Sequence, residues 1–310
     1  MTNTVLNPAQ TSQQASGQIC LQERISRLVW KLAIATLLLM AVGSATRVMN
    51  AGLACPDWPL CYGKLVPTAQ MNFQVFLEWF HRLDAALIGF GAIYLTGLCW
   101  WYRQELPRWL PWVSIFALGL IVFQGALGGL TVTELLRFDI VTAHLGTALM
   151  FFCTLVAIGC CLVPYQGTGN VSRLPWFGLV TVLLVYLQSL LGGLVASRWA
   201  VHQCFGAAQL CRVMNSHILG VIPATVAALI VVVLIRRTSA LHPWLRRLGN
   251  GIGVCLLAQI ALGIATFRLH LQVELLTVSH QVLGAALLGT LVALTTLSWR
   301  DRLQLSNCPR

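Results

Sequence analysis

The stretch HILGVIPATVAALIVVVLI, residues 217–235, is a histidine followed by an apolar run long enough to cross a membrane. A transmembrane helix needs about 20 mainly apolar residues, because the hydrocarbon core of a bilayer is roughly 30 Å thick. Runs of this length recur along the chain. The predicted spans are residues 28–48, 77–102, 109–132, 140–163, 174–196, 213–235, 250–268 and 276–299. We therefore predict an all-α integral membrane protein with eight transmembrane helices.

The composition excludes an ordinary soluble domain. Hydrophobic residues make up 57% of the chain, charged residues make up 9%, and the mean hydropathy is +0.77; soluble domains carry about 25% charged residues. The net charge of +11 reflects the enrichment of Lys and Arg in cytoplasmic loops, so we expect no nucleic-acid partner. With the N-terminus inside, 13 of the 20 basic residues face the cytoplasm: Arg24, Arg27, Lys31, Arg103, Arg108, Arg173, Arg236, Arg237, Arg246, Arg247, Arg300, Arg302 and Arg310.

Both termini are then cytoplasmic, and the inner connections divide the chain. Residues 1–27 lack the apolar segment of a signal peptide, and we expect a disordered polar tail there. Residues 28–163 and 174–299 each supply four helices. Residues 164–173 form the cytoplasmic linker between them, and residues 300–310 form a short basic tail.

Four histidines stand at the outer starts of the even-numbered spans. They are His81, His144, His217 and His280, and they are separated by 63, 73 and 63 residues. The distance from the first to the third, and from the second to the fourth, is 136 residues, which indicates two tandemly duplicated four-helix bundles. Ionisable residues inside a membrane are functional-site candidates. Because two imidazoles facing each other across a bundle suit the axial positions of a haem iron, we predict one haem site in each half.

A second repeat supports the duplication. Gln124-Gly-Ala-Leu-Gly-Gly-Leu in the third span matches Gln188-Ser-Leu-Leu-Gly-Gly-Leu in the fifth and Gln259-Ile-Ala-Leu-Gly-Ile in the seventh. Small residues allow a helix or a flat macrocycle to approach the backbone closely. Ordinary helix packing explains them equally well, since Gly is common in membrane spans.

Other metal centres fit these residues less well than haem. Glu78 and His81 form a Glu-x-x-His element, but a di-iron centre needs two such elements, and the position equivalent to Glu78 is Met214 in the second half. A zinc site needs three or four converging ligands. His202, His242 and His270 have no counterparts at the repeat spacing, so we interpret them as loop or interface residues.

Glu78 makes the two halves unequal. It shares a helix face with His81, three residues later, and a carboxylate near the hydrocarbon boundary is costly without a role or a partner. One interpretation is a salt bridge with Arg82 or Arg47, or exposure in the loop. The other is a proton acceptor or a stabiliser of positive charge beside a bound macrocycle. On the second interpretation the first half is the reaction chamber, and the second half holds a permanent redox haem.

The outer loops supply further candidates. Cys55 and Cys61 in the first loop, and Cys204 and Cys211 in the third, are close pairs in the oxidising compartment, where disulfides persist. Arginine pairs readily with carboxylates, so outer-side arginines are candidates for haem propionates, although each of them also suits phosphate head groups. These candidates are Arg82, Arg137, Arg212 and Arg268.

A resemblance to a known family rests on these same motifs. The chain contains Ala51-Gly-Leu-Ala-Cys-Pro-Asp-Trp-Pro-Leu-Cys-Tyr-Gly63, followed by Glu78-Trp-Phe-His-Arg82. These resemble the first outer loop and second helix of the heme A synthases. Thr142-Ala-His144, Asn215-Ser-His217 and Val278-Ser-His280 fit the other three histidines of that family, and the resemblance covers residues 28–299.

The resemblance implies a specific reaction and a role for each residue. Heme A synthases oxidise the C8 methyl of haem O to a formyl group by two hydroxylations and loss of water, giving haem A for terminal oxidases. By this pattern His81 and His144 hold the substrate haem, His217 and His280 hold a haem b cofactor, and Glu78 is the essential glutamate. The first-loop cysteines match a redox or structural pair of the family. The pair Cys204 and Cys211 is not universal there, and we interpret it as a structural disulfide.

Two other functions are open on sequence grounds: a bis-histidine dihaem cytochrome that transfers electrons laterally, and a carrier of haem O or haem A in oxidase assembly. We expect a multi-pass protein of the cell membrane, with its haem sites toward the periplasmic face. Its expected partners are haem O, membrane lipid, an electron carrier, and a haem O synthase or terminal oxidase assembly proteins.

Overall fold

Eight long helices make up most of the described chain. The structure is a computed structural model that describes residues 8–196, 208–269 and 272–306. The helices are α1 (Pro8–Val48), α2 (Phe73–Trp101), α3 (Leu110–Thr133), α4 (Phe138–Leu162), α5 (Leu174–Val195), α6 (Ala208–Arg237), α7 (Pro243–Arg268) and α8 (Glu274–Ser306), with a short 3₁₀ helix at Thr68–Gln70. Within the described residues, all eight are long and apolar enough to cross a membrane, which confirms the predicted all-α fold with eight spans.

Local sequence signals set several helix starts. Asn72 precedes α2, and its side chain accepts a hydrogen bond from the backbone N–H of Val75, as expected of an N-cap. Proline occupies the first turn of α3, α5 and α7, where its missing N–H costs no hydrogen bond. His242 caps α7 by accepting from the N–H of Trp244, which agrees with its interpretation as a loop residue.

The two terminal segments differ from the sequence expectation. We expected a disordered tail over residues 1–27, but α1 is already helical from Pro8. The segment is rich in Gln, Ala and Ser, and Ala and Gln are good helix formers that can extend a helix which packing has already fixed. At the other end α8 continues to Ser306, past the predicted end of the last span at residue 299.

The helices pack in two four-membered cycles. α1 contacts α2, α2 contacts α3, α3 contacts α4, and α4 contacts α1. The same order of contacts joins α5, α6, α7 and α8, and the two cycles meet where α4 and α8 contact each other and where α1 contacts α8 and α4 contacts α5. In such a cycle alternate helices face each other across the centre, so α2 is opposite α4 and α6 is opposite α8.

The linker between the two cycles is fastened to the last helix. The carboxylate of Asp301 is fully buried and accepts hydrogen bonds from the hydroxyl of Tyr165 at 2.9 Å and from the N–H groups of Gly169 and Thr168 at 2.6 and 3.2 Å. Burial and the hydrogen bond to Asp301 raise the pKa of Tyr165. These contacts hold residues 163–173 against the end of α8 opposite its histidine.

Candidate functional site

A first cavity lies among α1, α2, α3 and α4. Its volume is about 490 Å³, and His81 and His144 both line it. His81 comes from α2 and His144 from the opposite helix α4, and each lies close enough to act electrostatically on the other. Glu78 and Arg82 line the same cavity. The structure therefore brings together the predicted residues of the first half.

A second cavity lies among α5, α6, α7 and α8. Its volume is about 650 Å³, and it is lined by His217 of α6 and His280 of the opposite helix α8. Met214 lines this cavity where Glu78 lines the first. The two cavities thus repeat the pair of imidazoles but not the carboxylate.

A glycine on the preceding helix faces each of the four histidines. A Cβ atom built on each glycine lies 2.8–3.4 Å from the Cε1 atom of the imidazole, so any side chain there would press on the ring. The pairs and distances are Gly43–His81 at 2.8 Å, Gly128–His144 at 3.4 Å, Gly192–His217 at 3.0 Å and Gly263–His280 at 3.0 Å. The small residues noted in the sequence therefore seat the imidazoles.

Glutamines accompany three of these four glycines. Gln124, Gln188 and Gln259 each stand four residues before the glycine, and all three line a cavity. The amide nitrogen of Gln188 lies 3.0 Å from His217 Nδ1 and donates to the His217 carbonyl at 2.7 Å. The amide nitrogen of Gln259 lies 3.5 Å from a ring nitrogen of His280. Sequence analysis quoted this motif without linking it to the histidines; the signal was its recurrence ahead of the next histidine.

Glu78 is buried and holds the first outer loop. Its two oxygens are used separately: Oε1 accepts from Arg82 at 2.5 Å and Oε2 accepts from the backbone N–H of Cys55 at 2.8 Å. Arg82 also donates to the carbonyl oxygens of Asp57 and Leu60, both at 2.6 Å. The salt bridge with Arg82, one of the two sequence interpretations, is present, and the carboxylate still lines the first cavity.

The first outer loop is built around a disulfide. Cys55 and Cys61 are joined, as predicted, with their Cα atoms 4.8 Å apart. The N–H groups of Tyr62 and Gly63 donate to the Asp57 carboxylate at 2.6 and 2.7 Å, and they hold the pKa of that carboxyl below its usual range. Gly63 has a φ of 68°, the left-handed conformation that glycine adopts without strain. The loop is thus a rigid cap beside the cavity.

The predicted arginines are placed differently from one another. Arg268 lines the second cavity and Arg82 lines the first. Arg137 is exposed and pairs with Asp139 and Glu134, and Arg212 is also exposed; neither is among the described lining residues. Sequence analysis missed Arg47 as a ligand contact: it lines the first cavity, and one terminal guanidinium nitrogen is buried without a hydrogen-bond partner among the described residues.

Several predicted residues lie outside the described part of the chain. Cys204, His202 and His270 are among them, so the pairing of Cys204 with Cys211 stays a prediction.

One layer of side chains separates the two cavities. Met40, Leu145 and Gln281 line both of them, and Ser44 of α1 donates to the Gln281 amide oxygen at 2.8 Å. Gln281 follows His280, and Ser44 follows the glycine that faces His81. On the other side of the layer, a Cβ at Gly193 would lie 2.7 Å from Leu145, the residue after His144. All four histidines therefore lie at one end of the helix bundle.

Comparison with known proteins agrees with this arrangement. Residues 26–292 match the COX15-CtaA family, described as cytochrome oxidase assembly protein. A heme A synthase of Shewanella oneidensis is 30% identical over 88% of this chain and 97% of its own length. A heme A synthase of Caulobacter vibrioides is 28% identical over 88% of this chain and 95% of its own length. This chain belongs to the heme A synthase family.

Proposed function

We propose that this membrane protein is a heme A synthase that oxidises the C8 methyl of haem O to a formyl group by successive hydroxylations. The observation that carries the proposal is the placement of two imidazoles on opposite helices of each cavity, in a chain of this family. The cavity volumes of about 490 and 650 Å³ fall within the roughly 300–1,000 Å³ typical of ligand pockets.

The residues of the first cavity fit a substrate haem. His81 and His144 would hold the iron of haem O, and the glycines facing them leave room beside the imidazoles. The Nδ1 atoms of both rings are buried without a hydrogen-bond partner among the described residues. Buried polar atoms normally find partners, so these rings are suited to a ligand that orders them.

The residues of the second cavity fit a haem b cofactor. His217 and His280 would be its ligands, and Met214 in place of Glu78 leaves the described lining without a carboxylate. When bound, haem b would supply one-electron redox chemistry. The protein's part is to hold it one layer of side chains away from the first cavity.

Glu78 is our proposed catalytic residue. Its bonds to Arg82 and to the N–H of Cys55 favour the ionised carboxylate, and they fix its oxygens at the cavity wall. A fixed negative charge beside the reacting methyl can accept a proton or stabilise positive charge as it develops. In this way the salt bridge and the catalytic role are compatible.

Arginines at the cavities would bind the haem propionates. Of the predicted set, Arg268 in the second cavity and Arg82 in the first are at the cavity walls, whereas Arg137 and Arg212 would act from the surface. We add Arg47 to this set, because a buried guanidinium nitrogen without a partner needs an acceptor and a carboxylate supplies one.

We propose a two-bundle topology with the histidine end toward the periplasm. Tandem duplication accounts for the two four-membered helix cycles and the repeated histidine spacing. The excess of Lys and Arg on the opposite side supports cytoplasmic termini. A structural disulfide between Cys204 and Cys211 would then lie on the oxidising side. Haem O synthase or oxidase assembly proteins, and an electron carrier, are the proposed partners.

Extraction of haem after turnover tests this function directly. The purified full-length protein is supplied with haem O and an electron-transfer system, and the extracted haems are identified by mass. We expect haem O to be converted to haem A while haem b stays unchanged. Recovery of b-type haem alone, even with haem O supplied, would instead indicate an electron-transfer cytochrome. Recovery of unchanged haem O would indicate a carrier.

A further inference from the structure

The four histidines differ in what stands one helical turn before the facing glycine. At that position α3, α5 and α7 carry Gln124, Gln188 and Gln259, whereas α1 carries Leu39 four residues before Gly43. Leu39 is a buried aliphatic residue that lines the first cavity. His81 is therefore the one candidate ligand among the four whose preceding helix offers no side-chain amide at this register.

The three other imidazoles lie beside hydrogen-bond acceptors. The rings of His144, His217 and His280 are each within interaction range of the main-chain carbonyl of the matching glutamine. The amide oxygens of all three glutamines are also buried without a partner among the described residues. No such carbonyl contact is present for His81 in the described part of the chain, and its Nδ1 has no hydrogen-bond partner.

This difference has a chemical consequence for ligand strength. An imidazole that binds iron through one nitrogen carries a proton on the other, and an acceptor for that N–H orients the ring and increases its basicity. Loss of such a partner typically weakens metal binding about 10- to 100-fold. An imidazole whose N–H faces no acceptor is therefore the weaker of two opposed ligands.

We infer that His81 is the labile axial ligand of the first cavity, and that it leaves the iron when a small molecule binds there. The inference rests on the proposed function, in which His81 and His144 hold haem O. It identifies the His81 side of the haem as the side that opens. It also implies that both ligands of the second cavity stay in place, since Gln188 and Gln259 accompany His217 and His280.

Carbon monoxide binding to the reduced protein tests this inference without turnover. The full-length protein in detergent is loaded with haem O, reduced with dithionite and titrated with carbon monoxide under anaerobic conditions, with detection by absorption. We expect one of the two haems to bind carbon monoxide. Binding to neither haem, or to both with equal affinity, would overturn the inference.

Two matched variants identify the ligand that is displaced. In His81→Ala the competitor is absent, so carbon monoxide affinity should increase while the absorption spectrum of the adduct stays that of the wild type. In His144→Ala the ligand opposite the bound molecule is changed, so the spectrum should differ. If His144→Ala keeps the wild-type spectrum and His81→Ala does not, the labile ligand is His144 and the inference fails.

Exchange of the residue at the glutamine register provides an independent readout. Leu39→Gln should lower the carbon monoxide affinity of the first cavity by about 10-fold. Gln188→Leu should make the second-cavity haem reactive toward carbon monoxide. Failure of the protein to retain two haems would count against the proposed function, whereas two retained haems that are both inert toward carbon monoxide would count against this inference alone.

Discussion

The two cavities share a frame and differ in its polar residues. Each has two histidines from opposite helices, and each histidine faces a glycine on the preceding helix. The first cavity has Glu78 where the second has Met214, and it has Leu39 where the second has Gln188. The frame is what two bound haems would need in common. The differences suit a reacting site, which needs a charge and a weaker ligand, and a redox site, which needs neither.

The layer between the cavities shows a similar contrast. On one side Ser44 of α1 donates to Gln281 of α8, and on the other Gly193 of α5 packs against Leu145 of α4. Gln281 and Leu145 are 136 residues apart, the same offset as the histidines they follow. One side of the layer is thus polar and the other apolar, so the two sites are joined by a single hydrogen-bonded contact and an equivalent packing contact.

The largest effect is expected at the carboxylate. Glu78→Ala should lower haem A formation by about 10²-fold or more, because a positioned acid or base contributes about 10²–10⁴ in rate. Glu78→Gln keeps an oxygen for the Cys55 N–H and removes the charge, so it should show a similar loss. The measurement is the haem A yield per protein, with haem content determined separately.

Met214→Ala is the matched control for that prediction, because Met214 occupies the equivalent position of the second half. It should leave haem A formation within a few-fold of the wild type. If Glu78→Gln keeps both full haem content and full haem A formation, the carboxylate is structural and the contrast between the two cavities loses its chemical meaning.

A smaller effect is expected at the arginines. Arg47→Leu should reduce haem O retention by about 10- to 100-fold, since a hydrogen bond to a charged group contributes about 1.5–3 kcal/mol. The haem-free variant should be at least as stable as the wild type, because a buried guanidinium nitrogen without a partner is removed. Arg268→Leu should instead weaken haem b retention. Equal loss of both haems in either variant would indicate general unfolding.

The fold could be predicted because its determinant is local. Each span is a run of apolar residues, and the helices observed at Phe138–Leu162 and Leu174–Val195 lie within a few residues of the predicted spans 140–163 and 174–196. The start of α1 at Pro8 was not predicted, because polar residues continue a helix without an apolar signal.

The site could be predicted only in part. The even spacing of the histidines indicated which residues share a cavity, but the spacing contains no information about rotamers or neighbours on other helices. The contact of Gly43 with His81 and that of Ser44 with Gln281 join residues 38 and 237 positions apart. Such contacts depend on how helices pack, and a repeat in one chain does not reveal them without the structure.

The glycines that face the histidines give a graded prediction. A Cβ at Gly43 would lie 2.8 Å from His81, and one at Gly128 would lie 3.4 Å from His144. Gly43→Ala should therefore displace the imidazole and lower first-cavity haem content several-fold, because the ring can swing away while the backbone stays in place. Gly128→Ala should change it least, and Gly192→Ala and Gly263→Ala, both at 3.0 Å, should lower second-cavity haem to an intermediate degree.

Gly97→Ala serves as the control for this series, because a Cβ there meets no atom within 4 Å. Haem content per protein, from the pyridine haemochrome spectrum, is the measurement. A result in which Gly128→Ala is more harmful than Gly43→Ala would contradict the proposed seating of the imidazoles.

The smallest effect is expected at the layer between the cavities. Gln281→Leu removes the acceptor of the buried Ser44 hydroxyl, but that hydroxyl can turn to a carbonyl of its own helix, so we expect a loss of about 1 kcal/mol in the free energy of unfolding. Leu145→Gln should cost more, because its position faces Gly193, which has no side chain to pair with the amide. The measurement is denaturant unfolding in mixed micelles, with Ser44→Ala completing a double-mutant cycle. A coupling energy near zero between Ser44 and Gln281 would show that the polar side of the layer is no stronger than the apolar side, and that the two cavities are joined by packing alone.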